Sequence, residues 1–170
     1  GMKTAKEYKD SLRERKIRVY VKGELLDSAS VIDHPFIRGH VNSAAMTYAL
    51  AGNPEYEDLM TTTSHLTGHK INRFTHIHQS TDDLVKKVKM LRMISQKTGT
   101  CYQRCVGFDA MNAIYTVTYE CDKALGTDYH ERFKKFLIQV QDNDWMVAGA
   151  MTDVKGDRSL RPGQQVCLLY

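Results

Sequence analysis

The sequence lacks long apolar runs, and it lacks a strong excess of either charge. No stretch approaches the roughly 20 apolar residues that a membrane-spanning helix needs. The net charge of +4 is far below the basic excess expected of a protein that binds nucleic acid through its phosphates. These absences predict a protein that has neither a membrane nor a nucleic acid as a partner.

Signals for secretion and for disulfide bonding are also missing. The opening residues, GMKTAKEYKD, are charged and contain no apolar core of a signal peptide, so we expect a cytoplasmic protein. In that reducing compartment the cysteines are not expected to form disulfides, and they serve instead as buried thiols, metal ligands or catalytic groups. The cysteines are Cys101, Cys105, Cys121 and Cys167.

The chain has only three prolines and no internal repeat, and its hydrophobic pattern is mainly helical. Capping boxes of Thr4 with Glu7 and of Ser80 with Asp83 predict two helix starts, and Gly99 and Gly126 predict two helix ends. Helices are predicted over residues 4–15, 35–51, 81–97, 101–124 and 128–145. A small hairpin is predicted within residues 17–27. Residues 61–79 show neither the helical nor the strand period of apolar residues, which predicts a long ordered loop. The predicted fold class is mainly α, an antiparallel helical bundle with one small β-hairpin.

The strongest local signal for chemistry is TGTCYQRCVG, residues 98–107. Cys101 and Cys105 are four residues apart at the predicted start of a helix, which places them about 40° apart on one face. Two thiolates in that arrangement can hold one metal centre, although two buried cysteines that pack as small apolar residues fit the same spacing and are commoner. An iron–sulfur cluster needs about four ligands. Cys121 points about 160° away on the same helix, so further ligands must come from elsewhere.

Four further features have both a structural and a functional interpretation. The predicted 101–124 helix is apolar on two faces, which is typical of a central, buried helix. The histidines of SHLTGHKINRFTHIH either line a loop that faces a substrate or cofactor, or are ordinary surface residues. The basic run from Lys86 to Arg104 either attracts cofactor phosphates or forms a solvated helix face. The segment AMTDVKGDRS suits a loop around a polar ligand or a plain surface turn.

Several segments together resemble the amino-terminal region of the 4-hydroxybutyryl-CoA dehydratases. These enzymes fall within the wider 4-hydroxyphenylacetate 3-hydroxylase family, which also contains flavin-dependent 4-hydroxyphenylacetate 3-monooxygenases. The likeness runs from residue 4 to about residue 163 and is carried by DHPFIRGHVNSAAMTYALAG, QKTGTCYQRCVGFDAMNAIY and AMTDVKGDRS. The Cys-x-x-x-Cys inside TGTCYQRC is its most specific mark, because the monooxygenases have no cluster.

The resemblance implies an acyl-CoA dehydrogenase-like fold, with residues 1–150 as an amino-terminal helical domain and residues 151–170 as a truncated flavin-contacting loop and atypical tail. It implies that the parent enzyme is a homo-oligomer that holds FAD and a [4Fe-4S] cluster, with Cys101 and Cys105 as two cluster ligands. The residues implied to contact the flavin are Met151, Thr152, Asp153, Val154, Lys155, Gly156, Asp157 and Arg158. Val154 stands where the family pattern has proline.

The implied function is that of an amino-terminal fragment of an FAD- and [4Fe-4S]-dependent dehydratase and isomerase acting on 4-hydroxybutyryl-CoA or vinylacetyl-CoA. The family's remaining cluster ligands, catalytic base and most substrate contacts lie downstream, so we expect the fragment to be inactive alone and assign it no catalytic residue. Whether it holds either cofactor without that remainder stays open. Two alternatives are a non-catalytic helical remnant that self-associates, and a module of a flavin-dependent 4-hydroxyphenylacetate 3-monooxygenase-type enzyme.

Overall fold

The computed structural model describes residues 1–150 and 156–164. The helices are α1 (Ala5–Arg13), α2 (Arg38–Ala51), α3 (Glu57–Met60), α4 (Thr81–Thr98), α5 (Cys105–Leu125) and α6 (Tyr129–Asp142). The strands are β1 (Tyr20–Val21), β2 (Glu24–Leu25), β3 (Thr61–Thr63) and β4 (Lys70–Asn72). The predicted mainly helical fold is confirmed. The structure adds a second antiparallel hairpin, β3–β4, to the predicted hairpin, β1–β2.

Local capping sets the ends of the main helices. Thr4 and Glu7 form the predicted capping box before α1, and the Ser80 side chain caps α4. Gly99 and Gly126 end α4 and α5 in the left-handed conformation, with φ of 64° and 67°, which glycine adopts without steric cost. Within the described ranges, no helix combines the length and the apolar character needed to cross a membrane.

The core lies where α2, α4 and α5 meet the segment that follows β4. One buried cluster contains Leu50, Ala51, Met60, Phe74, Met90, Ile94, Tyr102 and Phe108. A second cluster, beneath α6, contains Ile77, Met111, Leu137 and Val140. Each large apolar side chain buried in this way contributes roughly 1.5–3 kcal/mol. These two clusters therefore fix α5 against α6 and hold the loop that precedes α5.

The segment from residue 61 to residue 79 contains the hairpin β3–β4 and a short helical turn at Arg73–Thr75, so its prediction as a long loop is wrong. The hairpin β3–β4 pairs Thr61 with Asn72, and every residue from 71 to 77 is buried. The guanidinium of Arg73 donates hydrogen bonds to three main-chain carbonyl oxygens, one of them on Thr61 at 3.0 Å. Buried polar groups need such partners, and these bonds satisfy the Arg73 guanidinium while Phe74 and Ile77 of the same segment pack in the two core clusters.

Helix α5 differs from its prediction in two respects. It begins at Cys105, four residues later than predicted, because Gln103 has a left-handed backbone (φ 66°) that a helix cannot contain. It is also open to solvent on one face, where Val106, Ile114 and Val117 are 41%, 43% and 53% exposed. The apolar residues on two faces therefore do not mark a central helix here; one face packs in the core and the other is a bare apolar surface.

Candidate functional site

The two cysteines of TGTCYQRC lie on the turn between α4 and α5. Residues 99–104, here called the cysteine loop, carry the first cysteine, and the second is the first residue of α5. The loop alternates between solvent and core: Cys101 and Gln103 are exposed, whereas Tyr102 and Arg104 are 5% and 2% exposed. The two buried side chains therefore anchor the loop, and the two exposed ones point outward.

Cys101 and Cys105 border one shared surface depression. Its other walls are Ser95, Gly99, Thr100 and Tyr102. Cys101 is exposed and Cys105 is half-buried, and both thiols are free. The prediction that both cysteines lie on one face of the same helix is wrong, because Cys101 precedes α5. The turn itself brings the two cysteines to the same depression.

The described part of the chain supplies only two thiol ligands at this place. Among the described residues, no group of three or more His, Cys, Asp or Glu side chains could hold a metal ion. Cys121 lies sixteen residues beyond Cys105 on α5, about 24 Å along the helix axis. Cys167 lies outside the described residues. Two thiols are about half of the ligand set that an iron–sulfur cluster requires.

The basic run from Lys86 to Arg104 does not form one phosphate-binding stripe. Lys86 pairs with Asp58 at 2.6 Å, and Lys87 pairs with Asp109 across to α5. These two lysines form ion pairs with carboxylates, which fits the alternative that this part of the run is a solvated helix face. Arg104 differs, because its side chain is buried and points away from solvent.

Three of the histidines form a row beside α5. The His76 Nε2 lies 3.0 Å from the Asp83 carboxylate, and the His65 Nε2 lies 3.1 Å from the Tyr115 hydroxyl. The His76 ring is 6.4 Å from that of His65 and 6.5 Å from that of His78. Burial lowers the pKa of all three imidazoles, so they are neutral at neutral pH. None of them borders the depression that the cysteines share. His76 belongs to a hydrogen-bond network around Asp83, whereas the buried ring nitrogens of His78 have no hydrogen-bond partner among the described residues.

Asp83 is the anionic centre of that network. Its carboxylate accepts hydrogen bonds from the Arg73 guanidinium at 3.0 Å and from the Gln79 backbone N–H at 2.8 Å, and it contacts His76. Burial alone would raise the pKa of Asp83, but the Gln79 backbone, His76 and Arg73 outweigh burial and lower the pKa to about 2. A carboxylate that stays ionised at neutral pH holds Arg73 in place and is unsuited to be a general acid.

Comparison with known proteins identifies the scaffold that carries this cysteine loop. Residues 4–167 match the family model described as 4-hydroxyphenylacetate 3-hydroxylase N terminal. The chain belongs to the 4-hydroxyphenylacetate 3-hydroxylase family. This confirms the resemblance inferred from the sequence motifs.

Within this family, the chain is similar to 4-hydroxybutyryl-CoA dehydratases. It is 55% identical over 162 residues to the 4-hydroxybutyryl-CoA dehydratase/vinylacetyl-CoA-Δ-isomerase of Clostridium aminobutyricum, covering 95% of this chain and 33% of that protein. It is 47% identical to the solved oxygen-tolerant archaeal 4-hydroxybutyryl-CoA dehydratase of N. maritimus, with a TM-score of 0.86 over 98% of this chain and 32% of that chain. The chain thus spans about a third of the length of the relatives that it matches.

The oxygenase branch of the family shares the fold. The oxygenase component of 4-hydroxyphenylacetate 3-monooxygenase, solved in complex with FAD and 4-hydroxyphenylacetate, matches with a TM-score of 0.70 and 21% identity. That match covers 96% of this chain and 33% of the oxygenase chain. At this level of identity the match establishes a common fold and leaves the chemistry of this chain to its own residues.

The flavin contact implied by the family likeness falls on residues 151–158. Of these, residues 151–155 lie outside the described residues. Residues 156–158 are exposed, and the Asp157 carboxylate accepts hydrogen bonds from the backbone N–H and the hydroxyl of Ser159 at 2.9 and 2.6 Å. These bonds form a local turn, and the assignment of the segment to flavin stays a prediction.

The sequence analysis does not predict a role for two residues beside the cysteine loop, Gly107 and Asp144. A Cβ on Gly107 would lie 1.8 Å from the carbonyl oxygen of Val147, so the chain that leaves α6 passes directly over α5. Asp144 is fully buried and pairs with Arg104. A glycine inside a helical pattern is the only signal that could have indicated the close approach. Nothing local marks Asp144, because its partner is distant in sequence.

Proposed function

We propose that this chain forms the amino-terminal helical part of an FAD- and [4Fe-4S]-dependent acyl-CoA dehydratase and isomerase, acting on 4-hydroxybutyryl-CoA or vinylacetyl-CoA. The observation that carries the proposal is the pair of cysteines, Cys101 and Cys105, on one open depression of a scaffold 55% identical to such an enzyme over 95% of the chain. In this proposal residues 1–150 are the helical domain, and residues 151–170 are the flavin-contacting loop and tail of an enzyme that forms homo-oligomers.

The described residues supply part of the ligand set of a cluster, so the remaining ligands would come from the rest of the enzyme. Thiolates are the ligands that iron–sulfur clusters prefer, and Cys101 and Cys105 offer two of them toward the same open space. When bound, the cluster supplies a Lewis acid for the substrate hydroxyl and the flavin supplies an electron carrier. Two ligands cannot hold a cluster firmly, which is why we propose that the chain is inactive alone.

The chain's own contribution is to position those two ligands. Tyr102 is buried in the main core cluster, and Arg104 is buried beside it, so the loop that carries Cys101 is held at two points. Cys105 is fixed as the first residue of a 21-residue helix. A preorganised pair of thiolates loses little conformational freedom on binding metal, and this favours assembly of a cluster when the other ligands arrive.

The proposal can be tested with a chimera that joins this chain to the remaining two thirds of the Clostridium aminobutyricum dehydratase. Prepared without oxygen, the chimera should bind flavin and convert 4-hydroxybutyryl-CoA and vinylacetyl-CoA. Cys101→Ala and Cys105→Ala should each abolish dehydration. Cys121→Ala, on the same helix but remote from the depression, is the matched control and should retain activity.

The outcomes separate the two enzyme classes. A chimera that binds flavin but loses nothing when both cysteines are replaced would refute the dehydratase proposal and favour the oxygenase-type module. A chimera that folds, as judged by its helical circular dichroism, but turns over neither acyl-CoA would also contradict the proposal.

A second candidate is a non-catalytic bundle that self-associates, and it rests on one observation. The open face of α5 carries Val106, Ile114 and Val117, and the nearby surface of α4 carries Leu84, Val85 and Val88, all more than a third exposed. Apolar side chains that are exposed together on neighbouring helices are found at protein–protein contacts. The surface is compatible with either candidate, because it can meet the rest of an enzyme or a second copy of the chain.

A further inference from the structure

A buried ion pair sits directly behind the cysteine loop. The side chains of Arg104 and Asp144 are each 1% exposed, and the Arg104 Nη2 lies 3.4 Å from the Asp144 Oδ1. The Arg104 Nη1 donates a hydrogen bond to the Thr47 hydroxyl at 3.2 Å. Its guanidinium carbon is 4.6 Å from the centre of the Tyr48 ring and 4.9 Å from that of Phe74. Burying a charge is costly, so a pair enclosed this completely must be held by all of these contacts.

Asp144 fixes the other end of the pair. It follows α6 with a left-handed backbone (φ 46°), which turns the chain out of the helix. Its carboxylate accepts a hydrogen bond from the backbone N–H of Lys3 at 3.1 Å, and its carbonyl oxygen accepts one from the Tyr48 hydroxyl at 3.1 Å. The direction in which the chain leaves α6 toward residues 145–150 is therefore set at Asp144.

The chain leaving α6 then crosses the first turn of α5. Only the missing side chain of Gly107 lets the Val147 backbone approach, because a Cβ there would be 1.8 Å from the Val147 oxygen. Gly107 is two residues after Cys105 on the same helix. The cysteine loop and the segment that leads to residues 151–158 are thus joined twice, by the ion pair and by this crossing.

We propose that the Arg104–Asp144 pair is a positioning device that holds the cysteine loop and the 145–148 segment at one fixed spacing. The inference rests on the proposed function, in which the cysteine loop carries a cluster ligand and the 145–148 segment leads to the flavin-contacting residues 151–158. Arginine suits the position because its planar group can stack on two aromatic rings while its two Nη atoms reach different partners. Lysine offers a single point charge and cannot make both sets of contacts.

The test uses the 170-residue chain with Cys121 and Cys167 replaced by serine, so that only the loop cysteines react. Phenylarsine oxide bonds two thiolates at once and therefore reports how well Cys101 and Cys105 converge. Trp145, the single tryptophan, is next to Asp144 and reports on the 145–148 segment through its fluorescence. In the parent chain, phenylarsine oxide should bind one to one and should change the exposure of Trp145 to acrylamide quenching.

Three variants distinguish positioning from stability. Arg104→Lys should weaken phenylarsine oxide binding, by about tenfold, which lies within couplings measured inside one network. The double variant Arg104→Met/Asp144→Leu removes both buried charges and should stay folded, because an apolar replacement of a buried pair is often tolerated. It should nevertheless bind phenylarsine oxide weakly, and that binding should no longer change the acrylamide quenching of Trp145. Lys86→Met, which breaks a surface pair, is the control and should behave like the parent chain.

The result that would overturn the inference is a folded double variant that binds phenylarsine oxide as tightly as the parent chain and still shows the Trp145 response. The pair would then contribute stability alone. This test involves neither iron nor flavin, so its failure is distinct from failure of the chimera to act on acyl-CoA. A chimera without activity together with a positive arsenical result would refute the proposed function and leave the positioning role standing.

Discussion

Replacing Gly107 by alanine tests the close crossing of α5 by the chain that leaves α6. Alanine normally stabilises the interior of a helix by about 1 kcal/mol relative to glycine. At Gly107 the new Cβ would lie 1.8 Å from the carbonyl oxygen and 2.3 Å from the carbonyl carbon of Val147. Both atoms belong to the backbone and cannot rotate away, so the 145–148 segment must shift by more than an ångström.

The expected result is a net loss of stability. Overpacking of this kind costs roughly 1–3 kcal/mol, which exceeds the helix-propensity gain of about 1 kcal/mol. The unfolding free energy, measured by urea denaturation with circular dichroism, should therefore fall by up to about 2 kcal/mol. Trp145 fluorescence should shift toward the emission of exposed indole, because its segment is displaced.

Gly39→Ala is the matched control for this change. Gly39 is also a helical residue, in α2, and a Cβ there meets no atom within 4 Å. This variant should be neutral or should stabilise the chain by up to about 1 kcal/mol. If Gly107→Ala stabilised the chain as much as Gly39→Ala and left Trp145 emission unchanged, the crossing would be refuted.

Asp83→Asn should lower the unfolding free energy by about 3 kcal/mol, because it leaves the buried Arg73 guanidinium without its anionic partner. The folded-state pKa of Asp83 is depressed from 3.8 to about 2, so its contribution is complete above about pH 4 and is lost as the pH falls toward 2. That contribution is roughly 2 kcal/mol. Urea titrations between pH 5 and 2 should show this loss of unfolding free energy in the parent chain and not in Asp83→Asn. An equal pH dependence of the unfolding free energy in the two proteins would contradict the depressed pKa of Asp83. Val117→Lys should weaken self-association in sedimentation velocity while changing the unfolding free energy by less than about 0.5 kcal/mol. Unchanged association would show that the open face of α5 is not the contact.

Features that depend on neighbouring residues could be predicted from the sequence. The capping box of Thr4 and Glu7 and the terminal glycines 99 and 126 act within one helical turn, and the structure confirms them. Of the predicted box at Ser80 and Asp83 only the Ser80 cap forms, because the Asp83 carboxylate bonds Arg73 and the Gln79 backbone instead. The mainly helical fold and the first hairpin follow from the same local signals. The cysteine pair was also visible, because its spacing is local.

Features that depend on distant partners could not be predicted. Residues 71–77 are buried because Ile71, Phe74 and Ile77 pack in the core and Arg73 bonds main-chain carbonyl oxygens that are distant in sequence. The buried ion pair of Arg104 could not be predicted, because its partner Asp144 lies forty positions later in the sequence. The start of α5 could not be predicted either, because helical spacing gives no sign of the left-handed backbone at Gln103 or of the burial of Tyr102 and Arg104.

The central claim, that Cys101 and Cys105 are half of a cluster site, is tested most directly by iron content. The chimera with the Clostridium aminobutyricum remainder is prepared without oxygen, and iron and sulfide are counted per chain. We expect about four of each in the parent chimera and in Cys121→Ala, and a large loss in Cys101→Ala and Cys105→Ala. Iron that is absent from the folded parent chimera, or that is unchanged when both loop cysteines are replaced, would contradict the claim.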